Sequence, residues 1–257
     1  MLQGVATRDA HASTGIDPAL LLRLARQPVF LAALTLNLVG FGLHISALQL
    51  LPLFLVQAVI ATSVAVTAVL SVRVLEVALT RAQGGAVATV VAGIVLLAPT
   101  AAAGDAVEPG PVAPAVLLGV VLLAAAGAVG AGRLRAPVDA LALGLLAGVG
   151  FGVVAVAARL LPDLTAGALL ASPVAWVLVL AGVTAFLLYS TAMQRGSVTM
   201  TTAALVITQT AVPALVGALL LGDRVRPGLA PLAVAGFVLA LGGAVGLARY
   251  EAGAPVR

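Results

Sequence analysis

The sequence predicts an all-α integral membrane protein: eight transmembrane helices in two inverted-topology repeats, with a linker helix between them. Three observations lead there. The 257-residue chain is 62% hydrophobic and only 9% charged, against about 25% charged residues in an ordinary soluble domain. Its apolar runs recur at about the 20-residue length that crosses a bilayer. Its second half repeats the pattern of the first after an odd number of helices. Alanine, valine, leucine and glycine dominate and aromatics make up 4%, a composition suited to helices packed closely through small residues.

The eight segments are 29–50, 53–76, 84–99, 112–131, 137–161, 172–194, 198–221 and 229–248. The first two are separated only by Leu51-Pro52, a tight turn, and the third is the shortest. Residues 100–111 (TAAAGDAVEPGP) make the longest polar connection between helices. Residues 1–28 are too polar to hold the apolar core of a signal peptide, so they are expected to be a cytoplasmic N-terminal segment. The first repeat with the linker helix then occupies 29–131. The second repeat and a short cytoplasmic tail occupy 132–257.

The formal charge is +4 and the pI about 11. All 13 basic residues are Arg, scattered singly. They read as topology determinants and not as a nucleic-acid surface. Threading eight helices places both termini on one side. Ten Arg fall on that side (8, 23, 26, 73, 81, 133, 135, 195, 249 and 257) and three on the other (159, 224 and 226). The positive-inside rule then makes the termini cytoplasmic, in a plasma or inner membrane. The absence of Cys excludes disulfides, thiolate metal sites and cysteine nucleophiles.

A shift of 145 residues lays QPVFLAALTLNLVGFGLHISALQ (27–49) over SPVAWVLVLAGVTAFLLYSTAMQ (172–194) without a gap. Pro28 meets Pro173, Phe41 meets Phe186, Gln49 meets Gln194, and His44 lies over Tyr189. The following helices continue at the same shift. After two residues are dropped at the loop, VAGIVL (91–96) lies over VAGFVL (234–239). The matched helices are five apart, so the repeats run in opposite directions across the bilayer, a hallmark of many secondary transporters. Helix 112–131 has no counterpart and acts as the inverting linker. Helix 137–161, ending AVAAR (155–159), finds only GVATR (4–8) at the corresponding place, as if the first two thirds of a first helix were missing. The plainer expectation is a polar tail.

The repeat, the helix end LYSTAMQ (188–194) and the run VPALVGALLLGDRV…LAVAGFVLALGG (212–243) together resemble the drug/metabolite transporter superfamily in its EamA-like branch. The four-helix repeat resembles most the neighbourhood of the NIPA-type magnesium transporters. In that family a Pro-containing helix, a Gly-Glu pair and an Ala-Gly-rich helix follow one another. Here Gly222-Asp223 stands in the Gly-Glu place, and the first repeat has Thr80-Arg81 there. The resemblance implies a secondary transporter of a small solute, working by alternating access and without a cofactor. Two alternatives stand beside it: a non-transporting scaffold, accessory subunit or shortened relic, and a divalent-cation (magnesium) transporter.

Polar groups in a membrane helix are costly and usually face the bundle interior or a water path. Asn37 and His44 are seven residues apart, on one helical face. Gln57, Thr67 and Ser71 form one stripe, and Thr202, Gln209 and Pro213 another. The candidate pathway residues are therefore Asn37, His44, Gln57, Tyr189, Thr202 and Gln209, with Pro213 as a kink. An imidazole at His44 would serve as a hydrogen-bonding group. Most Ser and Thr hydroxyls are expected to bond their own helix backbone. Gly144, Gly148 and Gly152 repeat every four residues. They fit a homodimer seam or, preferably, close packing within one bundle. Arg73 and Glu76 are expected to pair, Asp139 to cap its helix, and Asp223, Arg224 and Arg226 to form an exposed turn. No enzyme signature is present: no paired-His zinc motif, no Gly-x-Ser-x-Gly elbow and no phosphate loop. No catalytic or metal-binding residue and no nucleic-acid partner is expected. The partners are the bilayer and the solute.

Overall fold

The computed structural model describes residues 28–75, 80–102, 110–162 and 164–251. They form α1 (Pro28–Leu50), α2 (Leu53–Leu75), α3 (Arg81–Leu97), α4 (Ala113–Ala131), α5 (Val138–Arg159), a short α6 (Ala166–Ala171), α7 (Pro173–Arg195), α8 (Val198–Leu220) and α9 (Ala230–Glu251). A 3-10 turn, Ala98–Thr100, extends α3. Among the described residues there is no strand, only an isolated bridge between Ala101 and Val225. Among the described residues, six helical stretches are long and apolar enough to cross a membrane: Arg81–Thr100, Ala113–Ala131, Val138–Arg159, Pro173–Arg195, Met200–Leu220 and Ala230–Leu247. This is a multi-pass membrane protein. The described apolar stretches of α1 and α2 are Val39–Leu50 and Leu53–Ser63. The chain divides into two compact units, Met1–Ala47 and Leu48–Arg257.

Local chemistry explains where the helices begin. α3 starts earlier than the hydropathy suggests because Thr80 and Gln83 close a capping box. The Thr80 hydroxyl accepts from the Gln83 amide (3.2 Å), and the Gln83 side chain accepts from the Thr80 amide (2.9 Å). That satisfies two otherwise orphaned donors and carries the helix through a Gly-Gly pair. Ser197 caps α8 through the Met200 amide (3.3 Å), and Pro173 sits in the first turn of α7, where its missing N–H costs nothing. α8 ends at Gly222, whose φ of +67° lies in the left-handed region that glycine enters without a Cβ penalty. α6 is an addition to the eight expected helices, capped by the Thr165 hydroxyl on the Ala168 amide.

In the 48–251 unit, α5 is the most buried of the candidate spans and packs against α4, α7 and α8. α3 packs along α9, and α2 bridges the two groups through α8 and α9. The core is built largely of alanine and short aliphatics, including Ala61, Ala65, Val90, Ala124, Ala147, Ala192 and Ala244. Large apolar side chains such as Leu123, Val129, Leu219 and Leu220 point outward, as they do where lipid is the solvent. The turns after α3, α5 and α8 meet the α1–α2 turn at one end: the Arg226 amide donates to the Thr100 carbonyl (2.9 Å), the Ala102 amide to the Arg224 carbonyl (3.2 Å), and the Gln49 side chain to the Leu161 carbonyl (3.4 Å). Arg195 and the start of α5 lie together at the opposite end, where a methyl on Gly132 would sit 3.4 Å from Nη1 of Arg195.

Candidate functional site

The glycine spacing on α5 sets how closely α8 approaches. A methyl group on Gly144 would stand 3.0 Å from the Thr201 carbonyl oxygen, and one on Gly148 2.6 Å from the Thr208 Cβ and 3.0 Å from the Gln209 amide nitrogen. One on Gly152 would stand 3.2 Å from the Pro213 ring. All three glycines are buried. The small-residue seam is thus filled by α8 of the same chain, so this face is not open to a second copy. Pro213 is buried within α8, which continues through it from Val198 to Leu220. The missing side chain at Gly152 makes room for its ring.

The structure brings one pair of the polar candidates together. The Tyr189 hydroxyl on α7 and the Thr202 hydroxyl on α8 are 2.9 Å apart, a direct contact between two expected pathway residues. Gln209 is half-buried on α8, beside the α5 seam. Gln57 on α2 is buried. The 145-residue shift that lays His44 over Tyr189 also lays Gln57 over Thr202. Each of these is the fifth residue of its helix. His44 is half-buried on α1, and Asn37 lies on the same helix with its side chain outside the described residues. Both belong to the 1–47 unit. The side chains of Thr67, Ser71 and Arg73, and all of Glu76, lie outside the described residues, so the expected Arg73–Glu76 pair does too. Several hydroxyls bond their own helix, as expected: Ser46 to Gly42, Thr89 to Gly85, Thr191 to Leu187 and Thr208 to Ala204.

Two expectations about charge are overturned. Asp223 is not part of an exposed turn: it is 8% exposed, and Arg159 only 3%. Nη2 of Arg159 lies 3.5 Å from Oδ1 of Asp223, and Oδ2 of Asp223 accepts from the Leu53 amide at 2.6 Å. Nη1 of Arg159 donates to the carbonyls of Leu48 (2.7 Å) and Leu51 (3.0 Å). One guanidinium thus ties the end of α5 to the α1–α2 turn and to the α8–α9 connection. Burial pushes the Asp223 carboxyl up from the ordinary carboxylate range, while the Leu53 amide and the Arg159 charge pull it back. Sequence reasoning missed this cluster because its members are 64 to 170 residues apart. The available signal was an Arg in the last turn of an otherwise apolar helix.

Asp139 is not the cap of α5 either. Pro137 occupies that position, and Asp139 sits inside the first turn, 8% exposed, with Oδ1 lacking a hydrogen-bond partner. A carboxylate there is favoured by the positive end of the helix dipole. The hydroxyl of Thr201 is buried without a partner as well.

An open groove of about 440 Å³ between α2 and α3 is lined by apolar side chains such as Val59, Val66, Val90 and Ile94. It offers hydrocarbon and little for a polar solute to bond. Among the described residues, no group of three His, Cys, Asp or Glu comes together that could hold a metal ion. Comparison with family models, with curated proteins and with solved structures found no match to this chain.

Proposed function

We propose that this protein is a secondary transporter of a small solute, with eight membrane spans in two inverted repeats that alternate access to a central path. On this reading it is related to the EamA-like drug/metabolite transporters. One observation carries the proposal. The sequence repeat lays Gly93 on Gly236 and, at the same shift of 143, Leu97 on Ala240. A methyl on Gly93 would sit 2.7 Å from the Gly236 carbonyl oxygen, and one on Gly236 2.8 Å from the Gly93 carbonyl oxygen. The flanking contacts are reciprocal as well: Gly93 approaches the Ala240 backbone, and Gly236 the Leu97 amide nitrogen (3.0 Å). Two unrelated helices can cross at any residues. Helices related by a two-fold axis in the membrane plane cross where each meets its own counterpart, and that axis defines an inverted repeat.

The candidate path in the 48–251 unit is then the polar set on α2, α7 and α8, Gln57, Tyr189, Thr202 and Gln209, to which the sequence alone adds Asn37 and His44. Their uncharged donors and acceptors suit a polar or zwitterionic solute more than a bare cation, because hard cations prefer several oxygen ligands, usually with carboxylates among them. The test begins with a thermal-shift screen of solute classes on purified protein, followed by flux of the hits in proteoliposomes. His44→Ala and Gln209→Ala are expected to insert normally and to lower flux about tenfold or more, equivalent to ~1.4 kcal/mol or more of lost binding. Wild-type flux in both variants would remove these residues from the path. If no solute shifts the protein and none crosses, the scaffold alternative takes over.

A further inference from the structure

Among the described residues, the two ends of the 48–251 unit differ, although a two-fold repeat would make them alike. At the Arg159 end, the Arg159–Asp223 pair, the Leu48 and Leu51 carbonyls and the Leu53 amide form a buried network. At the repeat-equivalent place in the first half stands Thr80-Arg81. Both residues are exposed, and Thr80 is used to cap α3. Among the described residues no ion pair is found at that end, and its buried carboxylate, Asp139, has Oδ1 unpartnered. The two counterpart polar residues differ in the same sense. Gln57, five residues into its helix near the Arg159 network, is buried, whereas Thr202, at the same depth from the opposite end, is half-exposed and bonds Tyr189.

We infer that the Arg159–Asp223 pair is a latch that holds one end of the bundle shut, so that the resting protein opens toward the opposite, arginine-rich end. The inference rests on the transporter reading and adds to it a direction of rest. The physical basis is that the guanidinium draws three carbonyl or carboxylate groups from separate segments to a single point. The Leu53–Asp223 bond must break if the α1–α2 turn and the α8–α9 connection part, and Arg159 can then keep its partners on one side only. An opened end would have to hydrate both charges, and their desolvation is then recovered. Asp223 is therefore the switchable element and Arg159 its anchor. A lysine at 159 would keep the charge but not the planar fork that reaches two carbonyls and a carboxylate together.

The chain has no cysteine, so a single introduced thiol reports only on its own site. Gln57→Cys and Thr202→Cys are each reacted, in membranes permeabilised to expose both faces, with a membrane-impermeant maleimide. Asp223 is left intact, changed to Asn or changed to Glu. With Asp223 intact, the thiol at 202 is expected to label and that at 57 to resist. In Asp223→Asn, labelling at 57 rises about tenfold and labelling at 202 falls, as a shifted two-state equilibrium requires. Asp223→Glu restores the original pattern. Should Asp223→Asn fail to fold, as judged by monodispersity after extraction, Arg159→Lys is used in its place with the same expectation. Labelling that rises at both sites marks the pair as a structural staple and overturns the latch, as does labelling at 57 that ignores Asp223. If neither thiol reacts in any background, there is no aqueous path, and the transporter reading falls with the latch.

Discussion

Arg159 carries a full charge into a site where only 3% of its surface meets solvent, and every partner it has there is distant in sequence. Removing one member of a buried ion pair leaves the other charge uncompensated, typically at about 3–5 kcal/mol, whereas replacing both with apolar residues of similar size is often neutral. Asp223→Ala and Arg159→Met are therefore each expected to lower the unfolding midpoint in detergent strongly. The double variant Arg159→Met/Asp223→Leu should recover most of the loss. A double variant as unstable as the sum of the singles would show that the carbonyl bonds, and not the charge pair, hold this end. Tyr189→Phe removes only the contact with Thr202. Such interhelical bonds in membranes are worth about 0.6 kcal/mol on average, so the variant should stay folded. If the hydroxyl faces solute, flux will fall by more than stability does. Among these residues the sequence reading reached Tyr189 and Thr202, because polar side chains in apolar helices stand out individually. It placed Asp223 on the surface, because three charged residues in one short turn look solvated when their neighbours in space are unknown.

Glycine decides how closely the helices pack. Membrane helices gain little from the hydrophobic effect against one another and associate by close contact instead, so a methyl group added at a backbone crossing is costly. At Gly93, Gly148 and Gly236 the added carbon would come within 3.0 Å of a neighbouring helix backbone. Gly236→Val and Gly148→Val are each expected to cost about 1–3 kcal/mol through overpacking. Gly119→Val, whose added carbon meets nothing within 4 Å, should be close to neutral. Equal effects at all three positions in a thermal-unfolding series would count against these crossings. The existence and order of the long helices were legible from hydropathy alone, and their ends mostly to within two residues. The start of α3 was not, because the Thr80–Gln83 box is side-chain chemistry that outweighs the polar, Gly-containing composition of its first turn. The short helix α6 was not either, since six residues carry too little periodic signal. The Gly144, Gly148 and Gly152 stripe was visible as a seam, but whether it faces α8 or another chain depends on tertiary contacts.

Across the whole molecule, the asymmetry of ten arginines against three predicts an even number of crossings with both termini in the cytoplasm. A fluorescent reporter fused after Arg257 should be active, and a reporter that needs export should be silent. The opposite pair of results would reverse the threading, and with it the assignment of the Arg159 end to the outer face.

Hydropathy, length and the 145-residue repeat determine by themselves that the chain is helical, that it lives in a bilayer, and which residues are out of place there. Those properties are summed over a segment, and a segment carries them wherever it packs. The tertiary structure decided what each segment meets: that the glycines of α5 are filled by α8, that Gly93 of α3 meets Gly236 of α9, and that Arg159 and Asp223 pair at one end. Pairing of that kind depends on distances between residues far apart in the chain, and no local pattern encodes them.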